Sequence, residues 1–151
     1  MRMASDLTLF VSTVAAAVLV AHSASAAGQA PAALVFTAAQ AEAGKAHYAT
    51  TCAACHGADL GGADAPALAG ADFVKAWGAQ TTVDLFNYVQ GMPPGGTPLP
   101  ADENLTVVAF ILHQNGATAG AAPLLATTSV KIGGIATGKR APNVAVASHQ
   151  R

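Results

Sequence analysis

The sequence is poor in the residue types that most often build catalytic and metal sites. Among its 151 residues are two cysteines, one tryptophan and three methionines, and charged residues make up 10%. Two cysteines and no paired histidines leave a structural zinc site, which takes four ligands, short of ligands. Basic residues are few and are not interleaved with aromatics, so the sequence predicts no nucleic-acid partner. The scattered carboxylates show no paired arrangement and predict a solvated face rather than a catalytic set.

No apolar run is as long as the roughly 20 residues that a membrane-spanning helix needs. The longest one, Leu7 to Ala21, follows Arg2 and precedes Ala24-Ser25-Ala26. A short positive start, an apolar stretch and an A-x-A site are typical of a secretory signal peptide. We therefore expect residues 1–26 to be removed on export, which leaves no membrane span and places the protein in the periplasm. An uncleaved membrane anchor is the alternative.

Both cysteines fall in a single motif, Cys52-Ala53-Ala54-Cys55-His56. This C-x-x-C-H pattern is typical of covalent haem attachment, in which both thiols form thioethers and the histidine becomes the proximal iron ligand. A thioredoxin-like redox pair, a zinc site and a simple disulfide are the alternatives. The first needs flanking strands and the second needs more ligands, while a disulfide leaves His56 unexplained. We interpret the motif as the attachment site of one haem c.

A low-spin electron carrier needs a second axial ligand, and Met92 is the candidate. It is the only methionine beyond the N-terminal segment, and it opens a loop rich in proline and glycine. A thioether is a soft, neutral donor that raises the reduction potential of haem iron. A methionine that fills a gap in the core is the alternative interpretation. His47 and His113 are rival ligands, but we expect both to lie on the surface.

Local signals predict four helical segments separated by glycine-rich and proline-rich loops. Thr37 and Gln40 form a capping-box pattern that starts the first helix, which runs from Ala38 to the cysteine motif. Apolar residues at helical spacing predict a buried stripe on the last helix, made of Leu105, Val108, Ala109 and Leu112. Between them the sequence predicts a short turn of helix at Asp72–Trp77 and a helix at Val83–Gln90 capped by Thr82.

The order of these features resembles a class I c-type cytochrome over residues 36–116. The resemblance is close to the small bacterial monohaem cytochromes associated with periplasmic quinoprotein dehydrogenases. It implies an all-α class I cytochrome c fold, with three to four helices around one covalently bound haem and an irregular C-terminal tail. Gly44, Tyr48 and Phe110 match the family's close-approach glycine and its aromatic residues on the crossing first and last helices.

The resemblance also implies roles around the haem. Cys52 and Cys55 would attach it, and His56 and Met92 would bind its iron. The backbone carbonyl of Pro66 would accept a hydrogen bond from His56, a partner of the kind that orients a ligating histidine. Leu68 would pack on the haem face. Trp77 would donate its indole N–H to a haem propionate, with an ordinary core tryptophan as the alternative.

These observations predict a signal peptide at 1–26, a linker at 27–35, a cytochrome c domain at 36–116 and a weakly basic, low-complexity tail at 117–151, mostly extended. The predicted function is single-electron transfer between periplasmic redox proteins rather than catalysis. A quinoprotein dehydrogenase is the candidate donor, and an oxidase or another cytochrome is the candidate acceptor. Two alternatives stay open: a dedicated cytochrome subunit of a dehydrogenase complex, and a haem-based ligand sensor or peroxide-reacting enzyme.

Overall fold

The computed structural model describes residues 33–139, so the predicted signal peptide and the last residues of the predicted tail lie outside the described part. In this described range five α-helices follow one another, with one 3-10 turn near its end: α1 (Ala38–Thr51), α2 (Ala53–His56), α3 (Ala71–Trp77), α4 (Thr82–Val89), α5 (Ala101–Gln114) and the turn Ile132–Gly134. Within residues 33–139, β-pairing is limited to two isolated bridges. The predicted all-α fold is confirmed.

Helices α1 and α5 cross in close contact, and Gly44 makes the crossing possible. A Cβ atom built on Gly44 falls 1.8 Å from the carbonyl oxygen of Thr106 and 2.9 Å from the amide nitrogen of Val107. Those are backbone atoms that cannot turn aside, so only glycine fits. One turn further along, the rings of Tyr48 and Phe110 pack with their centroids 5.4 Å apart. This aromatic pair supports the end of α1, from which the chain continues into the cysteine motif.

The first helix starts where the capping pattern predicts. The hydroxyl of Thr37 accepts a hydrogen bond from the Gln40 amide, and the Gln40 side chain accepts one from the Thr37 amide. The helix ends at Thr51, and the one-turn helix α2 then carries the second half of the cysteine motif. Gly57, at φ +79°, turns the chain away directly after His56.

Helix α4 begins one residue earlier than predicted. Its N-cap is Thr81 rather than Thr82, because Thr81 and Asp84 form a reciprocal capping box. Thr82 is instead the first helical residue and is buried, with 1% of its surface exposed. Two adjacent threonines made the cap ambiguous, and the spacing to Asp84 decides it.

The last helix is buried over more of its circumference than one stripe. Val108, Ala109 and Leu112 are buried as predicted, whereas Leu105 is only partly buried. Val107 and Ile111, outside the predicted stripe, are also buried. The helix is covered by α1 on one side and by α4 on another, and it also lines the main cavity, so a single amphipathic face underestimates its burial.

Residues 117–139, here called the C-terminal strap, differ most from the prediction. We predicted a mostly extended tail outside the domain, but this segment contributes buried apolar residues to the core, namely Ala117, Leu124, Ile132, Ile135 and Ala136. Apart from the 3-10 turn Ile132–Gly134 it is irregular, as expected, because its backbone pairs with loops and helix ends. The predicted linker 27–35 likewise ends in a core residue, Val35.

The C-terminal strap is hydrogen-bonded to the rest of the domain along its length. Near its start, the Gly120 amide donates to the Phe36 carbonyl at 2.7 Å. Next, the Gln40 side chain exchanges two hydrogen bonds with the backbone of Leu124, at 2.8 and 3.0 Å. Further along, the Ile132 amide donates to the Gln80 carbonyl at 2.9 Å, just ahead of α4. The strap therefore ties the start of α1 to the loop that precedes α4.

Candidate cofactor site

One large cavity brings all the predicted site residues together. Its volume is about 670 Å³, within the range that cofactor and ligand sites occupy. The predicted residues that line it are Cys52, Cys55, His56, Pro66, Leu68, Trp77 and Met92. These residues come from α2, the loop after it, α3 and the loop after α4, so the fold converges on this space from both sides.

The His56 ring is oriented by a backbone carbonyl. Its Nδ1 atom lies 2.7 Å from the carbonyl oxygen of Pro66. Because a carbonyl only accepts, Nδ1 carries the proton and donates, and Nε2 is left as the atom with a free lone pair. This is the arrangement of a metal-binding histidine whose second ring nitrogen is fixed by an outer partner.

The loop that carries Pro66 is itself fixed to the motif. The Gly62 amide donates to the His56 carbonyl and the Ala65 amide to the Cys55 carbonyl, both at 2.9 Å. The Leu68 amide donates to the Leu60 carbonyl at 2.8 Å. These bonds close the loop over residues 57–68, so the Pro66 carbonyl is held against His56 by backbone bonds rather than by side-chain packing.

Tyr48 stabilises the turn that directly follows the motif. Its hydroxyl donates to the Gly57 carbonyl at 2.6 Å, and the side chain is 2% exposed. Burial raises the pKa of Tyr48 to about 12, with smaller contributions from Cys52 and Asp59. The hydroxyl therefore stays protonated and keeps donating at any physiological pH, which fixes the turn directly after His56.

The two thiols are not paired with each other. Cys52 is partly buried and Cys55 is exposed. Burial raises the pKa of the Cys52 thiol, and the neighbouring Cys55 thiol adds to the effect. A redox-active C-x-x-C pair needs a cysteine with a lowered pKa, because the thiolate is the reactive form. The environment of Cys52 therefore disfavours the thioredoxin-like alternative.

Met92 lines the same cavity and follows directly after α4. Its amide donates to the carbonyl of Val89 at 2.9 Å, which continues the helical path by one turn, and the side chain is partly buried. Nearby, the rings of Trp77 and Tyr88 pack edge to face, 5.2 Å apart. Tyr88 is 57% exposed, so this pair closes the cavity on its solvent side.

The rival histidines lie elsewhere, and both are partly buried rather than exposed as we predicted. His47 sits 3.2 Å from the Glu103 carboxylate on the far side of the α1–α5 crossing. His113 packs edge to face on Phe36, with centroids 6.2 Å apart. Neither residue lines the cavity, because each lies on a helix face that turns toward other parts of the chain.

The sequence reasoning missed the wall contributed by α4 and α5. Leu85, Val107 and Ile111 supply apolar surface there. Asn104 also lines the cavity, is 2% exposed, and donates its side-chain amide to the Leu99 carbonyl at 2.9 Å. The signal that could have revealed Asn104 was a polar residue on a buried turn of α5. Its side chain holds the end of the loop that begins at Met92.

The residues around this cavity fit a haem. The walls are predominantly apolar, two unpaired cysteines stand at one edge, and the imidazole of His56 has its Nε2 atom free. Met92 supplies a neutral sulfur donor in the same cavity. Among the described residues no group of three histidine, cysteine or acidic side chains is placed to bind a bare metal ion, which separates this site from a zinc centre.

Comparison with known proteins agrees with the geometry. A family model described as cytochrome c oxidase, cbb3-type, subunit III, matches residues 39–111. No curated protein and no solved structure gives a significant match to the chain. Within residues 33–139, no helix has the length and apolar character needed to cross a membrane. The matched segment covers nearly all of α1 and most of α5, with every cavity-lining residue inside it, and it supports a class I c-type cytochrome domain, a haem-containing electron carrier, over these residues.

Proposed function

We propose that this protein is an exported monohaem c-type cytochrome that carries single electrons between periplasmic redox proteins. The observation that carries the proposal is the cavity itself: Cys52, Cys55, His56 and Met92 all line one space of haem-compatible size. When bound, haem c supplies a one-electron iron couple. His56 and Met92 would each offer its iron a donor atom, which would leave no open coordination position for a substrate.

The parts of the chain divide the work of holding the cofactor. Cys52 and Cys55 form the thioethers, and His56 binds through Nε2 while the Pro66 carbonyl keeps its ring in place. Met92 completes the coordination. Leu68 packs on the haem face, and Trp77 donates to a propionate. Apolar walls keep water out, which limits the reorganisation that each electron transfer requires.

The proposed export rests on the predicted signal peptide at residues 1–26, and the proposed partners rest on the family resemblance. Haem is coupled to cysteine thiols outside the bacterial cytoplasm in the c-type cytochromes that this chain resembles. The proposed location is therefore the periplasm. The proposed donor is a quinoprotein dehydrogenase, and the proposed acceptor is an oxidase or another cytochrome. Contacts between such partners are small and transient.

A second candidate function is a dedicated cytochrome subunit of an oxidoreductase complex. The name of the matched family refers to an oxidase subunit, which favours this candidate. The C-terminal strap does not, because residues 117–139 pack on their own domain instead of projecting from it. Copurification of the full-length protein from its native membrane and periplasmic fractions distinguishes the candidates: a subunit stays with a partner through size-exclusion chromatography, and a shuttle elutes alone.

Covalent attachment is tested by intact-protein mass spectrometry after denaturation, on protein made in cells with c-haem maturation. We expect the mature chain to carry the added mass of one haem. Cys52→Ser and Cys55→Ser are each expected to lose a thioether and most of the holoprotein yield. Thr50→Ser, an exposed position on α1, is the matched control and keeps wild-type yield. A wild-type chain of unmodified mass that binds extractable haem contradicts covalent attachment.

Carbon monoxide separates the carrier from a ligand sensor or peroxide-reacting enzyme. Because Met92 occupies the sixth position in this account, the reduced wild-type protein is expected to bind carbon monoxide slowly and incompletely at neutral pH. Met92→Ala is expected to bind it fast and stoichiometrically. Fast, stoichiometric binding by the wild-type protein supports the sensor or enzyme instead.

A further inference from the structure

The start of α4 and the segment before it are hydrogen-bonded to the C-terminal strap. Three positions of the strap pair with residues 78–82. The Thr82 amide donates to the Val130 carbonyl at 2.9 Å, the Ile132 amide to the Gln80 carbonyl at 2.9 Å, and the Gly133 amide to the Gly78 carbonyl at 3.0 Å. None of the residues in this pairing lines the cavity.

Thr82 is the centre of this pairing. Its hydroxyl donates to the carbonyl of Thr128 and accepts from the amide of Val130 at 3.1 Å. With its own amide also bound to Val130, a single buried residue makes three hydrogen bonds to the strap. Thr82 is 1% exposed, so removing its hydroxyl leaves the Thr128 carbonyl and the Val130 amide without this partner in a buried place.

Helix α4 connects this anchor to Met92. The helix has 8 residues, which corresponds to about 12 Å of rigid rod. Leu85 and Val89 on it line the cavity, and the bond from the Met92 amide to Val89 extends it to the ligand. Beyond Met92 the chain runs through an exposed loop until the Asn104 side chain binds the Leu99 carbonyl.

We propose that Thr82 is a positioning residue for Met92: by fixing the start of α4 to the C-terminal strap, it holds the methionine at the iron. This inference rests on the proposed ligation by Met92. The strap, which lies outside the matched family segment, thereby has a function in ligand retention. Releasing the start of α4 from the strap is expected to raise the fraction of molecules in which Met92 has left the iron.

The test is the binding of imidazole to the oxidised holoprotein, because imidazole occupies the position that Met92 vacates. Its apparent affinity rises in proportion to the fraction of molecules with the methionine off. Thr82→Val keeps the shape of the side chain but removes the hydroxyl. We expect it to bind imidazole about tenfold more tightly than wild type and to weaken the far-red absorption band that methionine ligation produces.

Two further variants separate positioning from general loss of stability. Thr82→Ser keeps the hydroxyl and is expected to restore wild-type imidazole affinity. Gln40→Ala removes the two bonds that fasten the strap at Leu124, away from α4, and is expected to lower the melting temperature without changing imidazole affinity. Should Thr82→Val fail to assemble, Thr82→Ala removes the hydroxyl without adding an apolar group and is measured in its place.

Each outcome decides between the two proposals. An unchanged imidazole affinity and far-red band in the variant that lacks the hydroxyl, Thr82→Val or Thr82→Ala, overturn the positioning role, as does an equal rise in Gln40→Ala. If the wild-type protein has no far-red band, or if Met92→Ala binds imidazole no more tightly than wild type, then the ligand assignment in the proposed function fails instead.

Discussion

Replacing Gly44 with alanine tests the helix crossing on which the cavity is built. The added Cβ atom would stand 1.8 Å from the Thr106 carbonyl oxygen, and real Cβ atoms stay beyond 3.0 Å. Helices α1 and α5 must therefore separate by roughly an ångström, a gap that already forfeits about a quarter to a half of the dispersion energy of each contact. Both sides of the clash involve backbone, so no rotamer change relieves it.

The expected cost follows from two opposing effects. Overpacking of a core costs about 1–3 kcal/mol and occasionally more, and a clash with backbone belongs at the upper end. Alanine recovers about 1 kcal/mol of helix propensity relative to glycine. We therefore expect Gly44→Ala to lower the free energy of unfolding by about 2–3 kcal/mol, a large part of the stability of a small domain. The Tyr48–Phe110 pair should loosen with it, since it lies one turn along the same crossing.

Urea unfolding of the oxidised holoprotein, followed by far-UV circular dichroism, measures this change. Gly134→Ala is the matched control, because a Cβ atom there meets nothing within 4 Å. We expect that control to lie within about 0.5 kcal/mol of wild type. A Gly44→Ala protein that unfolds at the same urea concentration as Gly134→Ala refutes the argument that the crossing leaves no room for a side chain.

Three further predictions concern the support of the motif. Burial raises the pKa of Tyr48 from 10.0 to about 12. The contribution of the protonated hydroxyl to the free energy of unfolding is therefore complete below pH 10 and is lost as the pH rises from 10 to 12, by up to about 1.4 kcal/mol per pH unit. Unfolding measured across this range is expected to show that loss in wild type and a smaller one in Tyr48→Phe. The double variant Cys52→Ala/Cys55→Ala is expected to be largely unfolded, because aromatics are only 5% of the chain and the haem supplies the missing apolar volume. Near-UV and far-UV circular dichroism measures this, and a native-like spectrum contradicts it. Asn115→Leu removes side-chain hydrogen bonds of 3.0 Å to the Gly70 amide and 2.9 Å to the Leu68 carbonyl. It is expected to lower the free energy of unfolding by about 2–4 kcal/mol, measured by heat or urea. A change below about 0.5 kcal/mol contradicts this.

The sequence predicted the structure best where a local pattern has a fixed spacing or where a residue type is rare. Thr37 and Gln40 marked the start of α1 because a capping box has a fixed spacing. The motif and Met92 could be assigned to one site because few other cysteines or methionines compete with them. The bond from His56 to Pro66 followed from family resemblance and not from spacing, since a backbone carbonyl carries no sequence signal.

The sequence was least informative where the structure depends on long-range pairing. The C-terminal strap has no periodicity, so its burial was missed. Ile132 and Leu124 enter the core singly, and their backbone bonds go to residues far away in the chain: Ile132 to Gln80 before α4, and Leu124 to the Gln40 side chain on α1. The role of Thr82 was hidden for the same reason. Its neighbour Thr81 has the same chemistry, and only the position of Val130 shows which of the two faces the strap.

The central claim is that His56 and Met92 hold one haem as a closed, six-coordinate electron carrier. Potentiometric titration of the mature wild-type protein with visible spectra tests it most directly. We predict a single one-electron transition, with a far-red band in the oxidised form that disappears on reduction and is absent from Met92→Ala, whose potential is lower. An oxidised wild-type protein without that band, or a Met92→Ala protein with the wild-type spectrum and potential, contradicts the claim.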